Sequence, residues 1–133
     1  MMSNSIKMKA NVLVVEDEIS LLDAYKMILK SADYTVYTAQ DGHEALRVVD
    51  EVEPDIILLD LRMPRVDGIS FLKKYDLLHK HPNVKVIVFS NLDTQKEIDA
   101  AYELGADRYI LKAWASPTEL LQLVNDTLLA RKM

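Results

Sequence analysis

Two short apolar runs, each ending abruptly in carboxylates, constrain this chain more than any other feature. Val12-Leu13-Val14-Val15 runs into Glu16-Asp17-Glu18, and Ile56-Ile57-Leu58-Leu59 runs into Asp60. The second run is bounded by Glu53-Pro54-Asp55 before it and Met63-Pro64 after it. Runs this short and this rich in Val, Ile and Leu read as strands buried on both faces, the kind found in parallel sheets. A carboxylate at the last position of such a strand leaves the core at the carboxyl edge, where ligand chemistry collects in open α/β sheets. Two such strands deliver at least three carboxylates to one edge. Like charges that close repel by roughly 1–4 kcal/mol per pair at surface dielectrics, and a divalent cation relieves the repulsion.

The rest of the chain alternates in the same way. Strands are predicted at 11–15, 34–39, 55–59, 84–89 and 108–111. Helices are predicted at 19–30, 43–51, 69–79 and 94–104, and from Pro117 onward. The first helix carries Leu21, Leu22, Tyr25, Ile28 and Leu29 on one broad face. The fourth is poor in large apolar residues and is expected to dock loosely, with Gly105 as a left-handed cap. Ser116-Pro117-Thr118-Glu119 supplies a cap, a first-turn proline and a third-position glutamate, a strong start for the fifth helix. Five βα units imply an α/β fold, a parallel sheet covered on both faces.

A chain of 133 residues fits one domain. At this size about two-thirds of the unfolded surface is buried and no staple is required. Residues 1–9 read as a flexible tail and 10–133 as the domain. Cysteine is absent, which excludes disulfides and thiolate metal sites and fits a cytoplasmic location. No apolar run reaches membrane-spanning length, so no membrane is expected. The net charge of −5 opposes direct nucleic-acid binding.

The acidic edge has company. Ser90 ends the fourth strand and Lys112 the fifth, so a five-stranded parallel sheet brings Glu16, Asp17, Asp60, Ser90 and Lys112 to one rim. Taken singly, each has an ordinary role as a cap, a turn residue or a solvated strand end. Together they suit a hard cation and a phosphoryl group. Mg²⁺ takes oxygen ligands from one or two carboxylates, waters and phosphate. A hydroxyl and an ammonium neutralise the remaining phosphoryl oxygens. A carboxylate can attack phosphorus to form an aspartyl phosphate, and Asp60, alone at its strand end, is the natural nucleophile.

At this point the chain resembles the receiver domain of bacterial two-component response regulators, from about residue 9 to residue 130. The resemblance rests on Val14-Val15-Glu16-Asp17-Glu18, on Leu58-Leu59-Asp60-Leu61-Arg62-Met63-Pro64 with Asp67-Gly68, on Val88-Phe89-Ser90, on Gly105-Ala106 and on Tyr109-Ile110-Leu111-Lys112. It implies a flavodoxin-like, doubly wound fold with strand order 2-1-3-4-5. It implies that Asp60 accepts a phosphoryl group from the histidine of a sensor kinase or phosphotransfer protein. Mg²⁺ would be held by Asp17, Asp60 and the backbone carbonyl of Arg62, with Glu16 assisting. Ser90 and Lys112 would bind phosphoryl oxygens. Tyr109 would turn inward as Ser90 moves, remodelling the face of the fourth helix, fifth strand and fifth helix. Output would be contact with a downstream protein by a stand-alone monomer, or a weak dimer through that face.

Three departures from the family pattern bear on loop geometry. Asn91 replaces a small residue, Ala113 replaces the proline after the lysine, and the stretch 113–117 is one residue longer. Without proline, a cis bond costs about 3–4 kcal/mol, so a trans Lys112–Ala113 bond is expected, with Lys112 still reaching Asp60. These departures leave room for an alternative, a degenerate receiver that binds partners without phosphorylation. Enzyme activity beyond self-phosphorylation and self-dephosphorylation is not expected: Asp60-Leu61-Arg62 lacks the Asp-x-Asp of aspartyl-phosphate phosphatases, and neither G-x-G-x-x-G nor G-x-x-x-x-G-K occurs. Glu18 is expected to cap the first helix or face water. His43, His79 and His81 are expected to be solvated, the methionines to be mostly core filler or tail, and Trp114 to be either a partner contact or a lid over the core.

Overall fold

The computed structural model describes residues 10–63, 66–91 and 95–130. The expected tail at 1–9 lies outside them. Strands β1 (Asn11–Val15), β2 (Thr35–Ala39), β3 (Ile56–Asp60), β4 (Lys85–Ser90) and β5 (Arg108–Leu111) form one sheet in the order β2-β1-β3-β4-β5. Every pairing is parallel. Helices α1 (Ile19–Ser31), α2 (Gly42–Glu51), α3 (Gly68–Tyr75), α4 (Leu77–Lys80), α5 (Gln95–Glu103) and α6 (Pro117–Leu129) cover it. The doubly wound, flavodoxin-like architecture expected from the sequence is the one observed.

Strand periodicity explains the two cores. Leu13, Val15, Ile57, Leu59, Val86 and Val88 project to one side, where Ala45, Phe71, Leu72 and Ala101 meet them. Val12, Val14, Ile56, Leu58, Ile87 and Phe89 project to the other, against Leu22, Tyr25, Leu29, Leu120 and Val124. Side chains alternate because the strand period is two. Helices on both faces bury both sets, and central β3 is buried at every position.

The helix starts follow local chemistry. Asp41 and Asp67 cap α2 and α3 by accepting the backbone N–H groups of Glu44 and Ser70 at 2.8 Å each. Ser116 and Glu119 form the predicted reciprocal capping box. Gly105 has the positive φ expected of it, 110°. In α5 only Ala101 is buried, in keeping with the shortage of apolar residues there.

Three expectations are corrected. The predicted helix 69–79 is interrupted at Asp76, which adopts φ 57° and ψ 54°. An unbroken helix would place Leu77 about 140° around the axis from Leu72, away from the core. The break turns Leu77 inward, to 2% exposure, and leaves Leu78 outside. Aspartate tolerates the left-handed conformation better than most residues. Met27 departs from the core-filler role expected of most methionines; it is 72% exposed on α1. His81 is only partly solvated: its ring stacks on Tyr75 at 4.0 Å between centroids, and its Nδ1 lies 3.4 Å from a Glu53 carboxylate oxygen.

Gly68 sets how closely α3 approaches the end of β3. A Cβ there would lie 2.8 Å from the Asp60 carbonyl oxygen and from the Leu61 Cα, both backbone atoms that cannot swing aside. Gly68→Ala is therefore expected to destabilise the protein by about 1–3 kcal/mol, read as a lower midpoint in urea at unchanged slope.

Candidate phosphoacceptor and metal site

Register decides which residues meet at the carboxyl edge. Val15 pairs with Leu59, which places Glu16 beside Asp60. Asp60 pairs with Phe89, and Ser90 pairs with Leu111, which places Lys112 one step beyond. Glu16, Asp60 and Lys112 continue the alternation of the strand residues that face α1 and α6. Ser90 continues the opposite set, the one that includes Tyr109.

The Lys112 ammonium lies between two buried carboxylates. Its Nζ is 2.8 Å from Glu16 Oε1 and 2.9 Å from Asp60 Oδ2. Glu16 is fully buried and Asp60 is 2% exposed. Glu16 Oε2 also accepts the backbone N–H of Glu18 at 2.9 Å, and Asp60 Oδ1 accepts that of Arg62 at 3.0 Å. Asp17, next along, is exposed. Ligand-capable oxygens of Glu16, Asp17 and Asp60 all lie within 4.8 Å of one another. One lysine cannot neutralise three carboxylates, so the cluster has the charge and the donor type of a divalent-cation site.

A cavity of about 270 Å³ opens over these groups, lined by Asp17, Glu18, Asp60, Arg62, Ser90, Asn91 and Lys112. Ser90 is fully buried, and its Oγ has no hydrogen-bond partner among the described residues. A buried hydroxyl without a partner costs about 1–3 kcal/mol. At the wall of a polar cavity it is an unfilled demand for a ligand oxygen.

Burial shapes the protonation of the cluster. It pushes the Glu16 carboxyl up to about 7, against the opposing pull of Lys112. Asp60 is raised for the same reason, with Lys112 and the Arg62 N–H again opposing. Burial draws the Lys112 ammonium down, but its bonds to Glu16 and Asp60 outweigh that and the net direction is up.

The loop that carries Lys112 differs from the family pattern and still delivers it. The described residues contain no cis peptide bond, so Lys112–Ala113 is trans as expected. Lys112–Trp114 form a single 3-10 turn in place of the proline bend. Below the loop, the Tyr25 hydroxyl donates to the Ala115 carbonyl at 2.8 Å, and the Tyr25 ring meets Phe89 edge-on at 5.6 Å. Tyr25 thus ties α1 to the lysine's loop.

Comparison with known proteins agrees with this geometry. A family model described as the response regulator receiver domain matches residues 12–125. The chain belongs to this family. It is similar to the probable transcriptional regulator ycf27 of Guillardia theta, at 35% identity over 86% of this chain. That alignment spans 44% of the relative, less than half its length. Among solved structures it is similar to a CheY-like response regulator receiver domain protein from Methanospirillum hungatei, with 28% identity, TM-score 0.82, and 89% and 92% of the two chains covered. The receiver domain of a Francisella response regulator has 31% identity and TM-score 0.78, covering 90% of this chain and 97% of its own. Receiver domains serve phosphorylation-based signalling in two-component systems.

Of the site residues expected in this receiver, Glu16, Asp17, Asp60, Ser90, Lys112 and the Arg62 backbone all meet at the rim. Tyr109 does not; it lies half-buried along β5, opposite Val88 and against the core on the α5 side. Glu18 stands at the N-cap of α1 without a side-chain cap bond, and it lines the cavity. Trp114 is 68% exposed and covers no core, which removes the lid reading. His79 is solvated as expected, its side chain 83% exposed and its Nδ1 2.8 Å from Asp76. Sequence reasoning took Tyr25 for an apolar core residue and missed its hydroxyl. Its buried helical position next to a polar rim was the available signal, since buried tyrosines seek a partner.

The charge imbalance generates a stability prediction. A carboxyl whose folded pKa is raised stabilises the fold fully below its unfolded value and loses that contribution as pH rises through the folded value. For Glu16 the window runs from 4.5 to about 7; Asp60 loses its share above 3.8. In EDTA at pH 8, Asp60→Asn is therefore expected to be more stable than wild type by about 1–2 kcal/mol. The gap should close towards pH 4. Paired urea titrations across this range check it, and a gap that stays constant with pH contradicts it.

Proposed function

We propose that this receiver is a phosphorylation-activated switch whose phosphoacceptor is Asp60, with a histidine kinase or phosphotransfer protein as donor. The observation that carries this reading is the Lys112 ammonium held 2.9 Å from Asp60, in a cavity large enough for a phosphoryl group that is also lined by Ser90, whose hydroxyl has no partner among the described residues. An Asp60 carboxylate oxygen attacks the phosphorus of a phosphohistidine. The new P–O bond forms as the P–N bond breaks, and the bonding pair leaves with the imidazole. Lys112 turns from a carboxylate partner into a phosphoryl partner, and Ser90 donates its hydroxyl to a phosphoryl oxygen.

The donor set fits Mg²⁺. Asp17, Asp60 and the backbone carbonyl of Arg62 would hold it, with Glu16 assisting; the ion supplies charge neutralisation to the phosphoryl oxygens. Asp17 is the open ligand, because it is exposed, whereas Glu16 is fully buried with its Oε2 bonded by Lys112 and the Glu18 N–H. Ser90 and Tyr109 share one face of the sheet with α5, so movement of Ser90 towards a phosphoryl group would free space for Tyr109 and be read on the α5–β5–α6 face. Output through a downstream protein, and a weak dimer on the same face, follow from that reading. The degenerate-receiver alternative drew on the altered loop, and Lys112 reaching Asp60 weighs against it.

Incubation with acetyl phosphate or phosphoramidate, followed by intact-mass measurement, tests the reading. One phosphoryl mass is expected with Mg²⁺, and none in EDTA or in Asp60→Asn. Uptake by Asp60→Asn equal to that of wild type overturns the assignment.

A further inference from the structure

We propose that Arg62 and Glu97 form a charge latch that holds α5 in the unphosphorylated protein and is opened when a phosphoryl group on Asp60 draws Arg62 away. The inference rests on Asp60 being the phosphoacceptor. Arg62 faces two ways. Its backbone N–H donates to Asp60 Oδ1, and the residue is among those lining the phosphoacceptor cavity. Its guanidinium Nη2 bonds Glu97 Oε1 at 2.9 Å. Glu97 sits in the first turn of α5, a helix whose described residues bury only Ala101. The bridge therefore ties the loop after the phosphoacceptor to the most weakly packed helix of the output face.

The competition favours release. Both partners of the bridge are partly exposed, 55% for Arg62 and 36% for Glu97. A bridge of that kind biases an equilibrium by only about 1.5- to 5-fold. On Asp60 a phosphoryl group carries about two negative charges in place of the carboxylate's one, a net gain of about one, and brings three strong acceptor oxygens. The planar guanidinium fork suits phosphoryl oxygens better than a single carboxylate contact. Besides Lys112, Arg62 is the other cationic residue among those lining the cavity. Its transfer from Glu97 to the phosphoryl group removes this tie to a helix whose described residues bury only Ala101.

Amide exchange on the full chain tests the latch. The amides of 99–101 report it, since in an α-helix they bond the carbonyls of 95–97. In unphosphorylated protein, Glu97→Gln is expected to speed their exchange about 2- to 5-fold, the factor a lost exposed bridge allows. Arg62→Gln should do the same, and the double variant should add nothing further. Phosphorylation of wild type, confirmed by mass, should produce a similar increase, and phosphorylation of Glu97→Gln should produce little more at these amides. Unchanged exchange in Glu97→Gln, additive effects in the double variant, or a full phosphorylation response in Glu97→Gln each overturn the latch. Absence of a phosphoryl mass gain in wild type instead removes the phosphoacceptor reading and the trigger with it, while the unphosphorylated variants still decide whether the bridge restrains α5.

Discussion

The buried contact of Lys112 with Glu16 and Asp60 is the interaction on which the rest of this structure depends. Two carboxylates removed from water at the end of a hydrophobic sheet would not both remain ionised without a cation between them. Lys112 supplies it from the turn after β5, two strands from β3 and three from β1, and Asp17 adds a further negative charge at the surface. The arrangement is under-neutralised by construction. That deficit makes the site costly to the fold and receptive to a cation and a phosphoryl group.

Much of this was legible in the sequence because it follows from period and register. Once β1 and β3 are read as short strands buried on both faces, parallel alignment brings Glu16 and Asp60 side by side. Placing Ser90 and Lys112 at the ends of β4 and β5 needs only the same step. The capping box at Ser116 and the left-handed Gly105 are local features whose residues act within one turn. The trans bond at Ala113 followed from the absence of proline.

What escaped the sequence depends on contacts between distant segments. Nothing near Asp76 announces a helix break; it arises because Leu77 finds a place in the core that a continuous helix would deny it. His81 looks like a solvated turn residue until the chain lays its ring on Tyr75. Arg62 and Glu97 are separated by 35 positions, and no spacing rule pairs a loop arginine with the first turn of a later helix. Tyr25 was placed on the correct face of α1, but its reach to the Ala115 carbonyl depends on where the lysine loop settles.

The most direct measurement is a crystal structure of the full chain grown with Mg²⁺ and beryllium fluoride. The expected result is the phosphoryl mimic bonded to an Asp60 carboxylate oxygen, with Lys112 Nζ and Ser90 Oγ within hydrogen-bond distance of its fluorines and the cation on Asp17 and Asp60. A mimic bound away from Asp60, or a Ser90 hydroxyl still without a partner when the mimic is in place, would contradict it.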